Sequence, residues 1–153
     1  MKYLLDVNIL LALGNSEHVH NERVLRWLSP LLRDSNEPTI LETCAITELG
    51  FVRVASGPAG WCSDVDAAKR HLRRLKVGRP FTFVPDGIGV RRLPDWVTQS
   101  KHVMDGHLLQ LARSNGSQLA TLDERIPGAL VVPKLGDEDL MVREPTVHYG
   151  TAA

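Results

Sequence analysis

Asp6, Glu48, Asp105 and Asp123 each interrupt or end an apolar run. Asp6 stands between Tyr3-Leu4-Leu5 and Val7-Asn8-Ile9-Leu10-Leu11, and Glu48 lies inside a segment running from Cys44 to Val52. Asp105 follows Val103-Met104 and precedes Leu108-Leu109, and Asp123 closes Leu119-Ala120-Thr121-Leu122. An ionised carboxylate in such surroundings is costly unless a positive charge compensates it. No Lys or Arg adjoins Asp6, Glu48 or Asp105 in the sequence. A divalent cation is therefore the natural counter-charge, and hard oxygen donors point to Mg2+, with Mn2+ as the alternative. Such an ion can neutralise a phosphodiester's developing charge and lower the pKa of an attacking water, while a carboxylate not consumed by metal accepts the proton. Asn8 offers a neutral oxygen two residues after Asp6. Thr121, two residues before Asp123, is placed to hydrogen-bond a ligand carboxylate or a metal-bound water.

Each acid also has a structural reading. Asp6 can cap a helix, and Glu48 can face solvent on an amphipathic helix. Asp105 can answer a helix dipole, and Asp123 can shape a turn with Glu124 and Arg125.

The elements that would bring these acids together alternate in type. Strands are expected at Lys2 to Leu5, Thr39 to Leu41, Phe81 to Val84, Gln118 to Leu122 and Leu130 to Val132. Helices are expected within Asn8 to Leu13, His20 to Leu32, Ala45 to Val54, Asp64 to Leu75 and Val103 to Ser114. Pro30 should break or end the second helix. Ile46, Leu49 and Val52 or Phe51 should line the buried side of the third. Ser63 should cap the fourth, whose apolar stripe is Val65, Ala68, Leu72 and Leu75. The alternation argues for a single α/β domain over residues 1–153, with a mainly parallel central sheet and helices on both faces. Ligands in such sheets bind beyond the carboxyl ends of the strands, where Asp6 and Asp123 fall.

A chain of 153 residues with 43% hydrophobic and 24% charged residues can bury a core without disulfides. The two cysteines lack metal-ligand spacing, and Cys44 reads as a small core residue of a reducing compartment. No segment reads as a signal peptide or membrane span, so a cytoplasmic protein is expected. The 18 basic and 18 acidic residues balance, so any phosphate binding must come from a local patch. Lys69, Arg70, Arg73, Arg74, Lys76 and Arg79 make the densest one. It reads as a solvated helix face or as a track for an RNA backbone, with Arg70, Arg73 and Arg74 the candidates. Arg53 can reach a phosphate or an internal carboxylate. His102 and His107 flank Asp105, but surface or packing roles suit them and the other four histidines better. Trp27, Trp61 and Trp96 are scattered and suit core or interface packing better than stacking on bases.

In order and spacing, four segments resemble the PIN-domain nucleases, and more narrowly VapC-type toxins of toxin–antitoxin pairs. These are Leu4 to Leu13, Ile46 to Val54, Asp105 to Ala112 and Leu119 to Asp123. The resemblance implies a PIN-like three-layer sandwich and metal-dependent endoribonuclease activity, with Asp6, Glu48, Asp105 and Asp123 as the acidic, metal-holding site. It also implies a small antitoxin partner and a homodimer. Met104 departs from the pattern, since many members carry Thr or Ser immediately before the third acid. Residues 57–101 match no part of it.

Two other functions compete. A haloacid-dehalogenase-type phosphatase would use Asp6 as nucleophile but needs a second Asp where Asn8 stands. A degenerate, inactive PIN-like binding subunit would have no reason to keep all four acids.

Overall fold

Lys2–Leu5 (β1), Ile40–Thr43 (β2) and Gln118–Thr121 (β4) are short runs in which most residues are buried. That is the signature of parallel strands covered on both faces. In the computed structural model, which describes residues 1–136, they form the centre of a five-stranded sheet. Phe81–Phe83 (β3) and Leu130–Val131 (β5) are its edges, in the order β3-β2-β1-β4-β5. Every pairing is parallel. The expected α/β architecture is the observed one. The single-domain expectation extends over 137–153, which, with His148, lie outside the described residues.

Strand periodicity sorts the core into two layers. Tyr3, Leu5, Leu41 and Ala120 pack with Ile9 and Leu10 of helix α1 (Val7–Gly14) and Val24 of α2 (Asn21–Arg33). Phe51 of α3 (Ala45–Ala55) and Leu72 of α4 (Val65–Lys76) join the same layer. Leu4 and Leu119 face the other way, onto Leu108, Leu109 and Leu111 of α5 (Val103–Ser114). Helices therefore cover both faces. The tryptophans pack as expected: Trp27 lies edge-on to Tyr3 and Trp61 edge-on to Phe51. Cys44 is a buried free thiol.

Several local expectations need correction. Helix α2 does not end at Pro30 but runs on to Arg33. Pro30 lies on the exposed side, where water can solvate the carbonyl that its missing N–H leaves without a partner, and its own carbonyl accepts from the Asp34 N–H at 3.2 Å. Leu49 is not on the buried side of α3; it is 70% exposed, and Thr47, Phe51 and Ala55 point inward. The entry turn sets this rotation, because the Cys44 N–H donates to Thr47 Oγ1 at 3.0 Å and that hydroxyl donates back to the Cys44 carbonyl. Asp64, not Ser63, caps α4, accepting from the Ala67 N–H at 2.7 Å. Val65 is left outside the apolar stripe, 56% exposed. The second strand starts at Ile40 rather than Thr39 and continues to Thr43.

One further buried acid stands outside the four that the sequence singles out. Glu42, 2% exposed on β2, accepts from Asn115 Nδ2 at 2.8 Å and from the Ser117 hydroxyl, with Lys2 Nζ at 3.7 Å. It ties β2 to the turn between α5 and β4, so its role is architectural. Glu42→Ala would leave the buried Ser117 hydroxyl and the half-buried Asn115 amide without this acceptor and should lower unfolding free energy by about 2–3 kcal/mol in urea titration.

Candidate active site

The chain winds from β1 to β2 and β3 on one side and returns through β4 and β5 on the other. The crevice beyond the carboxyl ends of adjacent β1 and β4 is therefore the switch point where α/β sheets hold ligands. Asp6 is the first residue beyond β1. Its N–H donates to the Ala120 carbonyl at 3.0 Å, which locks it to β4. As the N-cap of α1, its Oδ1 accepts from the Val7 N–H at 2.6 Å. Oδ2 accepts from the Thr121 hydroxyl at 2.7 Å.

Thr121 is the hub of the crevice. Besides donating to Asp6, its Oγ1 accepts from Asn8 Nδ2 at 3.3 Å and from the Asp123 N–H at 3.0 Å. Asn8 Oδ1 accepts from the Leu122 N–H at 3.2 Å. Asn8 and Thr121 thus pin α1 to the end of β4, and the Thr121 hydroxyl holds the Asp6 carboxyl. The neutral oxygen of Asn8 is engaged by backbone.

Burial is the main influence on Asp6, and it pushes the carboxyl above its ordinary pKa. The bonds from Thr121 and Val7 oppose that, and the charges of Asp105 and Asp123 reinforce it. Asp6 thus lies in the field of both Asp105 and Asp123. Asp105 sits in the first turn of α5, partly exposed, with His102 Nδ1 at 3.6 Å. Asp123 accepts from Arg125 Nε at 2.9 Å and Nη2 at 2.7 Å, and from the Arg125 N–H at 2.9 Å. Those bonds hold its carboxyl down to about 2 despite some burial. The turn with Arg125 and the charge coupling to Asp6 coexist at this residue.

Glu48, in the first turn of α3, is held differently. Its Oε1 accepts from the Thr43 hydroxyl at 2.6 Å and from Lys76 Nζ at 2.5 Å. The absence of a basic neighbour in sequence does not carry into space, since Lys76 arrives from the far end of α4. Glu48 and Lys76 line a groove of about 810 Å³ with Leu49, Lys69, Arg73 and Phe83. Of the basic candidates, Arg73 lines this groove, whereas Arg53, Arg70 and Arg74 are exposed outside it. His107 is taken up by Asp86 at 2.7 Å.

The donor set suits a hard divalent ion: oxygen ligands only, with a carboxylate that burial, reinforced by its acidic neighbours, makes costly to ionise. Asp6 and Asp105 are the acids free of a Lys or Arg contact. Among the described residues, no three His, Cys, Asp or Glu side chains are already arranged as a ligand set. Arg125 and Lys76 draw Asp123 and Glu48 to themselves instead.

This sheet order, with helices on both faces and acids at the switch point, defines a PIN-like α/β protein. No family model matches the chain. Ribonuclease VapC38 of Mycobacterium tuberculosis is 35% identical over 123 residues, 78% of this chain and 84% of the relative. Ribonuclease VapC44 of the same species is 32% identical over 141 residues, 84% and 94% of the two chains. The chain belongs to the VapC ribonuclease family. Two solved structures share its fold. VapC20 of M. tuberculosis, a sarcin–ricin-loop-cleaving toxin, superposes with a TM-score of 0.60 at 13% identity, over 86% of this chain and 99% of that one. VapBC2 of Rickettsia felis, solved with a promoter DNA fragment, gives 0.54 at 14% identity, over 86% and 97%.

Proposed function

We propose that this protein is an endoribonuclease dependent on Mg2+ or Mn2+ and the toxin of a type II toxin–antitoxin pair. The observation that carries the reading is the Asp6 carboxyl, fixed at the β1/β4 switch point within the field of Asp105 and Asp123. The relatives named as ribonucleases support the substrate class. Asp6 and Asp105 hold the cation, with Asp123 and Glu48 completing the acidic wall. When bound, the ion neutralises phosphodiester charge and acidifies water.

The chain's own residues do the rest. Thr121 and the Val7 N–H orient Asp6 so that its position costs no reorganisation during the reaction. The proton acceptor would be a carboxylate oxygen that the ion leaves free, and Asp105, partly exposed and without a Lys or Arg contact, has one to offer. Arg73 and Lys69 on the groove wall meet RNA phosphates, which makes binding salt-dependent. A small antitoxin that covers the acidic site and a homodimeric, cytoplasmic toxin complete the proposal. No helix among the described residues is long and apolar enough to cross a membrane.

The test is cleavage of a circular RNA by the purified full chain. Internal cuts with Mg2+ or Mn2+, abolished by a chelator, are expected. Cleavage that persists in the chelator removes the metal from the reading. RNA binding without cleavage would mark an inactive binding subunit.

A further inference from the structure

The Lys76 ammonium is held where a cation serving Glu48 would act. Lys76 ends α4, and its side chain is about a quarter exposed, as is that of Glu48. Its Nζ donates to Glu48 Oε1 at 2.5 Å and to Thr43 Oγ1 at 3.2 Å, while the Thr43 hydroxyl donates to the same Oε1 at 2.6 Å. The Phe81 ring lies below the ammonium at 6.0 Å from its centroid. By contrast, Lys69, two turns earlier on the same face of α4, is exposed and pairs with Asp66 at 3.5 Å. Three groups from β2, α3 and β3 thus converge on one ammonium. Both donors fall on Oε1, and among the described residues no hydrogen bond falls on Oε2.

From this triangle we infer that Lys76 is a resident counter-ion and positioning residue: it orients Glu48 through Oε1 and competes electrostatically with a divalent cation approaching through Oε2. The inference rests on the proposed metal site and adds a determinant of its affinity. A fixed positive charge one carboxylate away opposes a second cation, and partial burial limits how far water screens that repulsion.

Mn2+ titration of the metal-stripped full chain, followed by calorimetry and by loss of the free-ion EPR signal, tests this without any cleavage assay. Lys76→Met should bind Mn2+ tighter by on the order of ten-fold, and Lys76→Arg should stay near the parent. Lys76→Gln serves as a second neutral variant, with thermal melts establishing that each is folded. In a Glu48→Gln background the gain from Lys76→Met should shrink, since the carboxylate for which the two cations compete is gone. Unchanged or weaker binding in both neutral variants, or an equal gain in the Glu48→Gln background, overturns the role of Lys76 while leaving the metal site standing. Binding by neither the parent nor any variant overturns both.

Discussion

Asp6→Asn and Asp105→Asn should each abolish metal-dependent RNA cleavage while leaving the protein folded, with rate losses on the order of 100-fold or more. Each change preserves side-chain shape and removes a negative charge from the crevice where the two acids feel one another. Cation affinity should fall with it. Their stabilities should differ in an informative way. Asp105→Asn removes a charge that raises the Asp6 pKa, so the metal-free protein should hold or gain stability. Asp6→Asn removes a buried charge but turns an amide donor toward Thr121 Oγ1, which already accepts from Asn8 and Asp123. The gain is offset by about 1 kcal/mol of lost hydrogen bonding, leaving stability near the parent. Thermal melts with and without Mn2+, calorimetry and a cleavage assay read these effects separately. If the acids were only structural, both variants would cut RNA at the parental rate, since Asn caps a helix as well as Asp.

The second large effect is expected at Thr121, a residue that need not touch RNA at all. Thr121→Val keeps volume and strand propensity but deletes the hydroxyl that joins Asp6, Asn8 and Asp123. The site is fully buried, so the Asn8 amide and Asp123 N–H lose their partner and water cannot easily replace it. Destabilisation of about 1–3 kcal/mol should follow. Cleavage should fall about 10- to 100-fold, because groups that orient ligand carboxylates cost that much when removed. Thr121→Ser should restore most of both, since it retains the oxygen. A valine variant that is destabilised yet cleaves at the parental rate would reduce Thr121 to a packing residue.

The alternation of strand and helix, and with it the parallel sheet, is legible in the amino-acid sequence alone. Apolar runs such as Tyr3-Leu4-Leu5 and Leu119-Ala120-Thr121 leave little choice, because a strand buried on both faces tolerates few polar positions. The placement of Asp6 and Asp123 at strand ends follows from the same runs, and the ends of strands are where such sheets expose ligands. That Asp6 and Asp123 stand at the same edge of the sheet is thus foreseeable, whereas the bond from Thr121 to Asp6 also needs β1 and β4 to be neighbours.

Only the tertiary structure decided the partners of the acids. Lys76 meets Glu48 across 28 positions of sequence, and Asn115 and Ser117 meet Glu42 across more than 70. No periodicity within one element encodes such pairs; they arise when α4 is laid against α3 and the α5–β4 turn against β2. The exposed Leu49 has the same origin, since an entry turn fixed by Cys44 and Thr47 outweighs the apolar pattern of a helix that is hydrophobic on more than one side. Local pattern determined where the carboxylates stand, because burial and strand ends are properties of a segment. The packing of distant elements determined which of them are already neutralised, because a counter-charge is a property of whatever the fold brings within a few ångströms.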